Sequence, residues 1–205
     1  MARLLIPGLR AYRVADGFIA GSYPGGPSTD VAQDRLVALL RHEVSVFINL
    51  MEEGEHHRYG TGMQDYDAVF PDITRASEAM PAENSEESAD TPVLSTADAP
   101  QMTTPHMIRF PIRDMAIPER ASMRRILDAI DRELQQGKGV YVHCLGGVGR
   151  TGTVVGCWLA RHGIAGGAEA LHEINRLREF DPMLDLPSPQ TEEQRRMVRS
   201  WSADE

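Results

Sequence analysis

The apolar positions of this chain change their period along its length, and the changes mark its elements. Between residues 9 and 20, short β-prone pieces (Tyr12, Val14, Phe18, Ile19) are broken by Asp16-Gly17, the pattern of a hairpin. Tyr23-Pro24-Gly25-Gly26-Pro27 reads as a loop. A helix is predicted from near Asp30, with Gln33 completing a capping box and Leu36, Val37 and Leu40 on its apolar face. Residues 44–50 are a near-continuous apolar run, the mark of a buried strand, and residues 107–112 give a second strand. Residues 118–136 return to helical spacing, with Met123, Ile126, Leu127, Ile130 and Leu134 on one face and Gly137-Lys138-Gly139 as the stop. A strand over 139–143 leads through a Gly-rich turn into an apolar helix over 150–161. Two more helices are predicted, over 168–180 (Leu171, Ile174, Leu177) and 191–201. This alternation predicts one α/β domain over residues 1–205, with a mainly parallel central sheet flanked by helices.

One stretch breaks the pattern. Residues 75–105 are rich in Ala, Ser, Thr, Glu and Pro, have no aromatic residue, and carry one Arg against six acidic residues. Such a composition buries too little apolar surface to offset its ordering entropy. It reads as a flexible acidic insertion in a surface loop, since lengthening a loop costs little.

Charge narrows the partners. The 205 residues carry a formal net charge of -9, so nucleic acid and anionic membrane surfaces are not expected partners. An anionic substrate would need a local positive site. The only two cysteines, Cys144 and Cys157, make no disulfide framework and suit a reducing compartment. The apolar run Leu4-Leu5-Ile6 is too short for a signal-peptide core, and no stretch approaches the ~18 apolar residues of a membrane span. A cytoplasmic location is the expectation.

The local positive site is His143-Cys144-Leu145-Gly146-Gly147-Val148-Gly149-Arg150-Thr151-Gly152, between a predicted strand and a predicted helix. Three of the five residues between Cys144 and Arg150 are Gly, which lets successive N–H groups curl toward one anion. The helix that follows adds free N–H groups and the positive end of its dipole. Arg150 supplies a planar fork for phosphate oxygens. A thiol in such a cradle loses its proton readily, which suits Cys144 to nucleophilic attack on phosphorus. The phosphate-binding residues are then Leu145, Gly146, Gly147, Val148, Gly149 and Arg150.

These residues resemble the signature of the protein-tyrosine-phosphatase superfamily: His-Cys, five residues, Arg, then Ser or Thr. The dual-specificity branch is the most similar, since the chain is short and Asp114 lies about thirty residues upstream of Cys144. The group around the cyclin-dependent-kinase-associated phosphatase and its bacterial relatives has a similar Gly-Gly-x-Gly loop. The resemblance implies a phosphatase acting through a phosphocysteine, without cofactor or metal, on a phosphorylated protein or a small phosphomonoester. It implies Asp114, in Phe110-Pro111-Ile112-Arg113-Asp114-Met115-Ala116-Ile117-Pro118, as general acid. His143 precedes the nucleophile, and the Thr151 hydroxyl would assist the departing sulfur. Pro189-Gln190-Thr191-Glu192-Glu193-Gln194 resembles a water-positioning loop, with Gln190 first and Gln194 second.

Other readings compete. Gly147 to Gly152 also fits the G-x-G-x-x-G dinucleotide fingerprint, but a further strand is not predicted after it, and that fingerprint has no use for Cys144 or Arg150. A non-catalytic phosphate-binding module would not need cysteine, arginine and acid together. An inositol-phosphate or phosphoinositide phosphatase is the runner-up, although the loop positions Leu145 to Val148 carry no cation. Cys157 reads as core. Glu52-Glu53-Gly54-Glu55-His56-His57 offers metal-ligand residue types but reads as a charged, solvated loop at a strand end, placed to line the cleft.

Overall fold

The computed structural model describes residues 4, 6–58, 63–73 and 104–205. All but the last two residues of the predicted insertion lie outside the described residues.

Among the described residues, five strands form one sheet: β1 (Ala11–Ala15), β2 (Phe18–Gly21), β3 (Val44–Asn49), β4 (His106–Arg109) and β5 (Gly139–His143). Their spatial order is β1-β2-β5-β3-β4. The β1–β2 hairpin is antiparallel, and every other pair is parallel. Gly17, with φ of +68°, turns that hairpin at the predicted place. β3 and β5 are buried at every position, as expected of largely apolar strands covered on both faces. β1 shows the alternation of an edge strand.

The helices that accompany the sheet include α1 (Thr29–Arg41), α2 (Glu55–Arg58), α3 (Arg120–Gln135), α4 (Gly149–Arg161), α5 (Ala168–Leu177) and α6 (Glu192–Arg199). A 3-10 turn covers Tyr66–Val69. α1 packs on β3, α3 and α4 pack on β5, and α4 also packs against α5 and α6. α4 is buried from Gly149 to Ala160, so it forms the centre of its layer. One continuous apolar cluster joins the sheet to the helices other than α2, including Phe18, Leu36, Phe47, Ile126, Val142, Val155 and Val198. Among the described residues, no helix is long and apolar enough to cross a membrane.

Several boundaries differ from expectation. α1 is capped by Ser28, whose hydroxyl accepts the Val31 N–H at 3.4 Å, rather than by Asp30. β4 pairs only through Arg109, although the Phe110 and Ile112 N–H groups still bond to the end of β3, at Asn49 O and Leu50 O. Pro111, which has no N–H, stops the ladder there. α5 ends at Leu177, three residues short of the prediction. The capping box at Thr191 and Gln194 starts α6. α2 and the 3-10 turn were not predicted. Both are one-turn elements, too short to show a period.

β5 is the last strand of the described sheet, and three helices follow it. A dinucleotide fold would place another strand after α4, so that reading loses its structural basis.

Candidate active site

Parallel strands deliver their C-terminal ends to one side of the sheet, where such folds bind ligands. β5 ends at His143, and Cys144 begins a loop that closes into α4 at Gly149. The Cys144 sulfur accepts the Gly147 N–H at 3.2 Å. Gly147 has φ of +71°, and a Cβ there would lie 2.6 Å from the Gly21 carbonyl carbon and the Ser22 nitrogen. The loop is thus pressed against the end of β2, and only glycine fits. At Gly152 a Cβ would come within 2.2 Å of Ser188 Oγ, so a side chain there would displace that hydroxyl. That hydroxyl donates to Val148 O at 2.8 Å and so braces the loop from the α5–α6 connection.

Arg150 is 2% exposed in its side chain and makes four close contacts. Its two terminal nitrogens donate to the Glu55 carboxylate at 2.6 Å each. One of them also donates to Ile112 O at 3.0 Å, and the other lies 3.0 Å from Asp114 Oδ1. Burial works against the charge of Arg150, but the bonds from Glu55 outweigh it and raise its pKa. The edge of the guanidinium that faces Glu55 is therefore spent. The edge that a phosphate could use, Nε–H with the terminal hydrogen that now faces Asp114, opens only when Asp114 gives up its place. Glu55 is 1% exposed, and its place as partner of Arg150 was not identified from sequence.

His143 is fully buried. Its Nδ1 faces Cys144 O at 3.3 Å, and its Nε2 faces the Tyr66 hydroxyl at 2.8 Å. With Nδ1–H donating to the carbonyl, Nε2 accepts from Tyr66. Desolvation drives the His143 pKa down to about 3, so the ring is a neutral brace and not a proton donor at ordinary pH. Tyr141 supports the same region by donating to Ser22 O at 2.6 Å.

The other predicted residues are placed as follows. Asp114 sits beside Arg150 in a turn whose next residue, Met115, has φ of +62°. The carboxamide of Gln190 lies against Gly149 of the phosphate loop, as does that of Gln194. Gln194 is wholly buried and committed elsewhere: its Oε1 accepts the Thr191 N–H at 3.1 Å, and its Nε2 donates to Ala116 O at 3.1 Å. It fastens the Asp114 turn to α6 instead of taking the expected role in holding water. The Thr151 hydroxyl is aimed at Gly21 O, 3.4 Å away, rather than at the sulfur. Cys157 is buried in the core, and burial pushes its thiol pKa well up.

Comparisons with known proteins bear on one segment and on the fold. The family model described as "Polymorphic toxin system, DSP-PTPase phosphatase" matches residues 93–164, the span holding Asp114, Cys144 and Arg150. The structure of Tk-PTP in the active form superposes with a TM-score of 0.61 at 20% identity, covering 95% of this chain and 96% of that one. Kinase associated phosphatase (KAP), with its catalytic-site cysteine substituted by serine, gives 0.62 at 16% identity, over 96% and 94%. The family-model match thus covers about a third of this chain, and the likeness to the two solved phosphatases is one of fold. An uncharacterized protein of Methanocaldococcus jannaschii, MJECL20, is 40% identical over 63 residues. That match spans 31% of this chain and 43% of the archaeal protein, so the chain spans less than half of that relative's length.

Proposed function

We propose that this chain is a phosphomonoester hydrolase acting through a phosphocysteine, with phosphotyrosine or mixed-specificity protein substrates. The observation that carries the reading is the shared site of Cys144, Asp114 and Arg150, with Asp114 Oδ1 3.0 Å from Arg150 and the sulfur capped by the Gly147 N–H. A phosphate entering this loop meets the N–H groups and the edge of Arg150 that Asp114 occupies. It takes over the bond that Asp114 holds and leaves that carboxyl beside the departing oxygen. Cys144 Sγ then bonds to phosphorus as the ester P–O bond breaks, and Asp114 gives its proton to the leaving oxygen. Water attacks the phosphocysteine, Asp114 takes its proton, and the P–S bond breaks. Gln190, already against the loop, orients the water. Thr151 turns from Gly21 O to the departing sulfur. Arg150 and the loop bind the equatorial oxygens in both steps.

Met115 and Ile117, on either side of the Asp114 turn, are 48% and 37% exposed, an apolar rim suited to a peptide. One observation favours a second reading, a phosphoinositide or inositol phosphate. The Arg10 guanidinium lies 3.9 Å from the position a Cβ would take at Gly146, so it brings to the loop a cation that the loop sequence lacks.

The test is hydrolysis of p-nitrophenyl phosphate in EDTA, followed by phosphopeptides and inositol phosphates. Turnover by wild type, absent in Cys144→Ser and reduced roughly 10²–10⁴-fold in Asp114→Asn, is expected. Binding of phosphate without turnover would point instead to a non-catalytic phosphate-binding module.

A further inference from the structure

Among the described residues, one cluster of metal-ligand side chains lies outside the phosphate site: His56, His57 and Asp65. Their ligand atoms all fall within 4.8 Å of one another. His56 Nε2 is 2.9 Å from Asp65 Oδ1, and His57 Nε2 is 3.7 Å from Asp65 Oδ2.

Three features set this cluster apart from a solvated charge run. Consecutive helix residues project about 100° apart. The rings of His56 and His57 nevertheless turn together, with centroids 3.9 Å apart, and both aim Nε2 at one carboxylate. The longer separation, 3.7 Å, exceeds a hydrogen bond, so Asp65 does not hold His57 that way. A tetrahedral zinc with bonds of about 2.0–2.1 Å would set its ligand atoms about 3.3 Å apart. The observed 2.9 and 3.7 Å bracket that edge.

The surroundings suit a built site. His56 is buried and stacked on Tyr23, with ring centroids 5.1 Å apart, which fixes its ring from behind. His57 and Asp65 are exposed, leaving an entry path and a fourth position for water. The ligands also neighbour the supports of the phosphate loop. Glu55, which clamps Arg150, precedes His56, and Tyr66, which holds His143, follows Asp65.

We propose that His56, His57 and Asp65 bind one divalent transition-metal ion of the zinc type, which ties α2 to the 3-10 turn and stiffens the supports of Arg150 and His143. Two imidazoles and one carboxylate are a borderline set that suits zinc better than calcium or magnesium. None of its ligands is a residue assigned to the phosphoryl chemistry, so the ion's part is to steady the site.

The test is calorimetric titration of zinc into the full metal-free chain carrying Cys144→Ser, which removes the thiolate as a competing ligand. His57→Ala and Asp65→Asn are each added to that background. One ion per chain is expected, with affinity at least tenfold weaker in both double variants. Cobalt(II) should give the visible absorption of a tetrahedral site in the parent and lose it in the variants. Both substitutions are at exposed side chains, and circular dichroism confirms that the variants fold. No saturable binding in the parent, or equal binding in the His57→Ala and Asp65→Asn forms, overturns the proposal. None of these readouts depends on turnover, so the result stands apart from the phosphatase reading.

Discussion

The carboxylate of Glu55 grips the guanidinium of Arg150 through two hydrogen bonds of 2.6 Å, with both side chains almost wholly buried. The two residues are 95 positions apart. Removing one partner of a buried pair leaves the other charge uncompensated, at about 3–5 kcal/mol. Glu55→Gln is therefore expected to lower the stability to urea by that amount. It should also reduce kcat/KM at least tenfold, because Arg150 loses its orientation. An unchanged urea midpoint would contradict the clamp.

Arg150→Lys keeps the charge but not the planar fork. Arg150 answers Glu55, Ile112 O and Asp114 from two nitrogens at once. A single ammonium has neither the span nor the spare edge to add a phosphate. Turnover of an aryl phosphate should fall by at least a hundredfold, with phosphate affinity weakened as well. Near-normal kinetics would remove Arg150 from its role.

Gly147→Ala tests the packing of the loop against β2. The φ of +71° disfavours any side chain, and the new Cβ would overlap backbone atoms at 2.6 Å. The combined cost is about 2–4 kcal/mol. Because the Gly147 N–H also caps the Cys144 sulfur, kcat/KM should fall at least tenfold. A variant as stable and active as wild type would mean that the loop rests elsewhere.

The depressed pKa of His143 makes stability depend on pH. The unfolded chain takes up a proton near pH 6.5, whereas the folded chain resists it until about pH 3. The stability contributed by neutral His143 is complete above pH 6.5 and is lost as pH falls toward 3, by at most about 1.4 kcal/mol per pH unit. Burial shifts His56 in the same direction. Glu133, Glu173, Glu192 and Glu205 are also held below their ordinary values, but they act only below about pH 4.5. Urea midpoints between pH 7 and 5 should thus decline in wild type and decline less in His143→Gln. Equal slopes would exclude His143 as the source.

The parts of the site readable in the sequence are those that a local segment specifies. Cys144, the three glycines and Arg150 stand within one turn between a strand and a helix, so their spacing alone announces an anion cradle. The predicted limits of β5 hold residue for residue, because an unbroken apolar run between glycine and a polar loop leaves little choice. The supports were not readable. Glu55 comes from a run of charged residues in which nothing local marks the one that turns inward. Tyr66 reaches His143 across 77 positions, from a turn too short to show a period. Gln194 illustrates a different limit: its place beside the loop was expected, but its two bonds, to Thr191 and Ala116, emerge only when α6 and the Asp114 turn are brought together.

β5 has neighbours on both sides, β2 and β3, and the phosphate loop starts where it stops. The backbone carrying the nucleophile is therefore anchored in the part of the molecule that opens last. Amides of β5 should exchange with solvent only when the whole chain unfolds, while the Asp114 turn exchanges through small local excursions. Reagents that modify Cys144 must then enter through the mouth of the loop, and their rates will report the width of that mouth rather than the breathing of the fold.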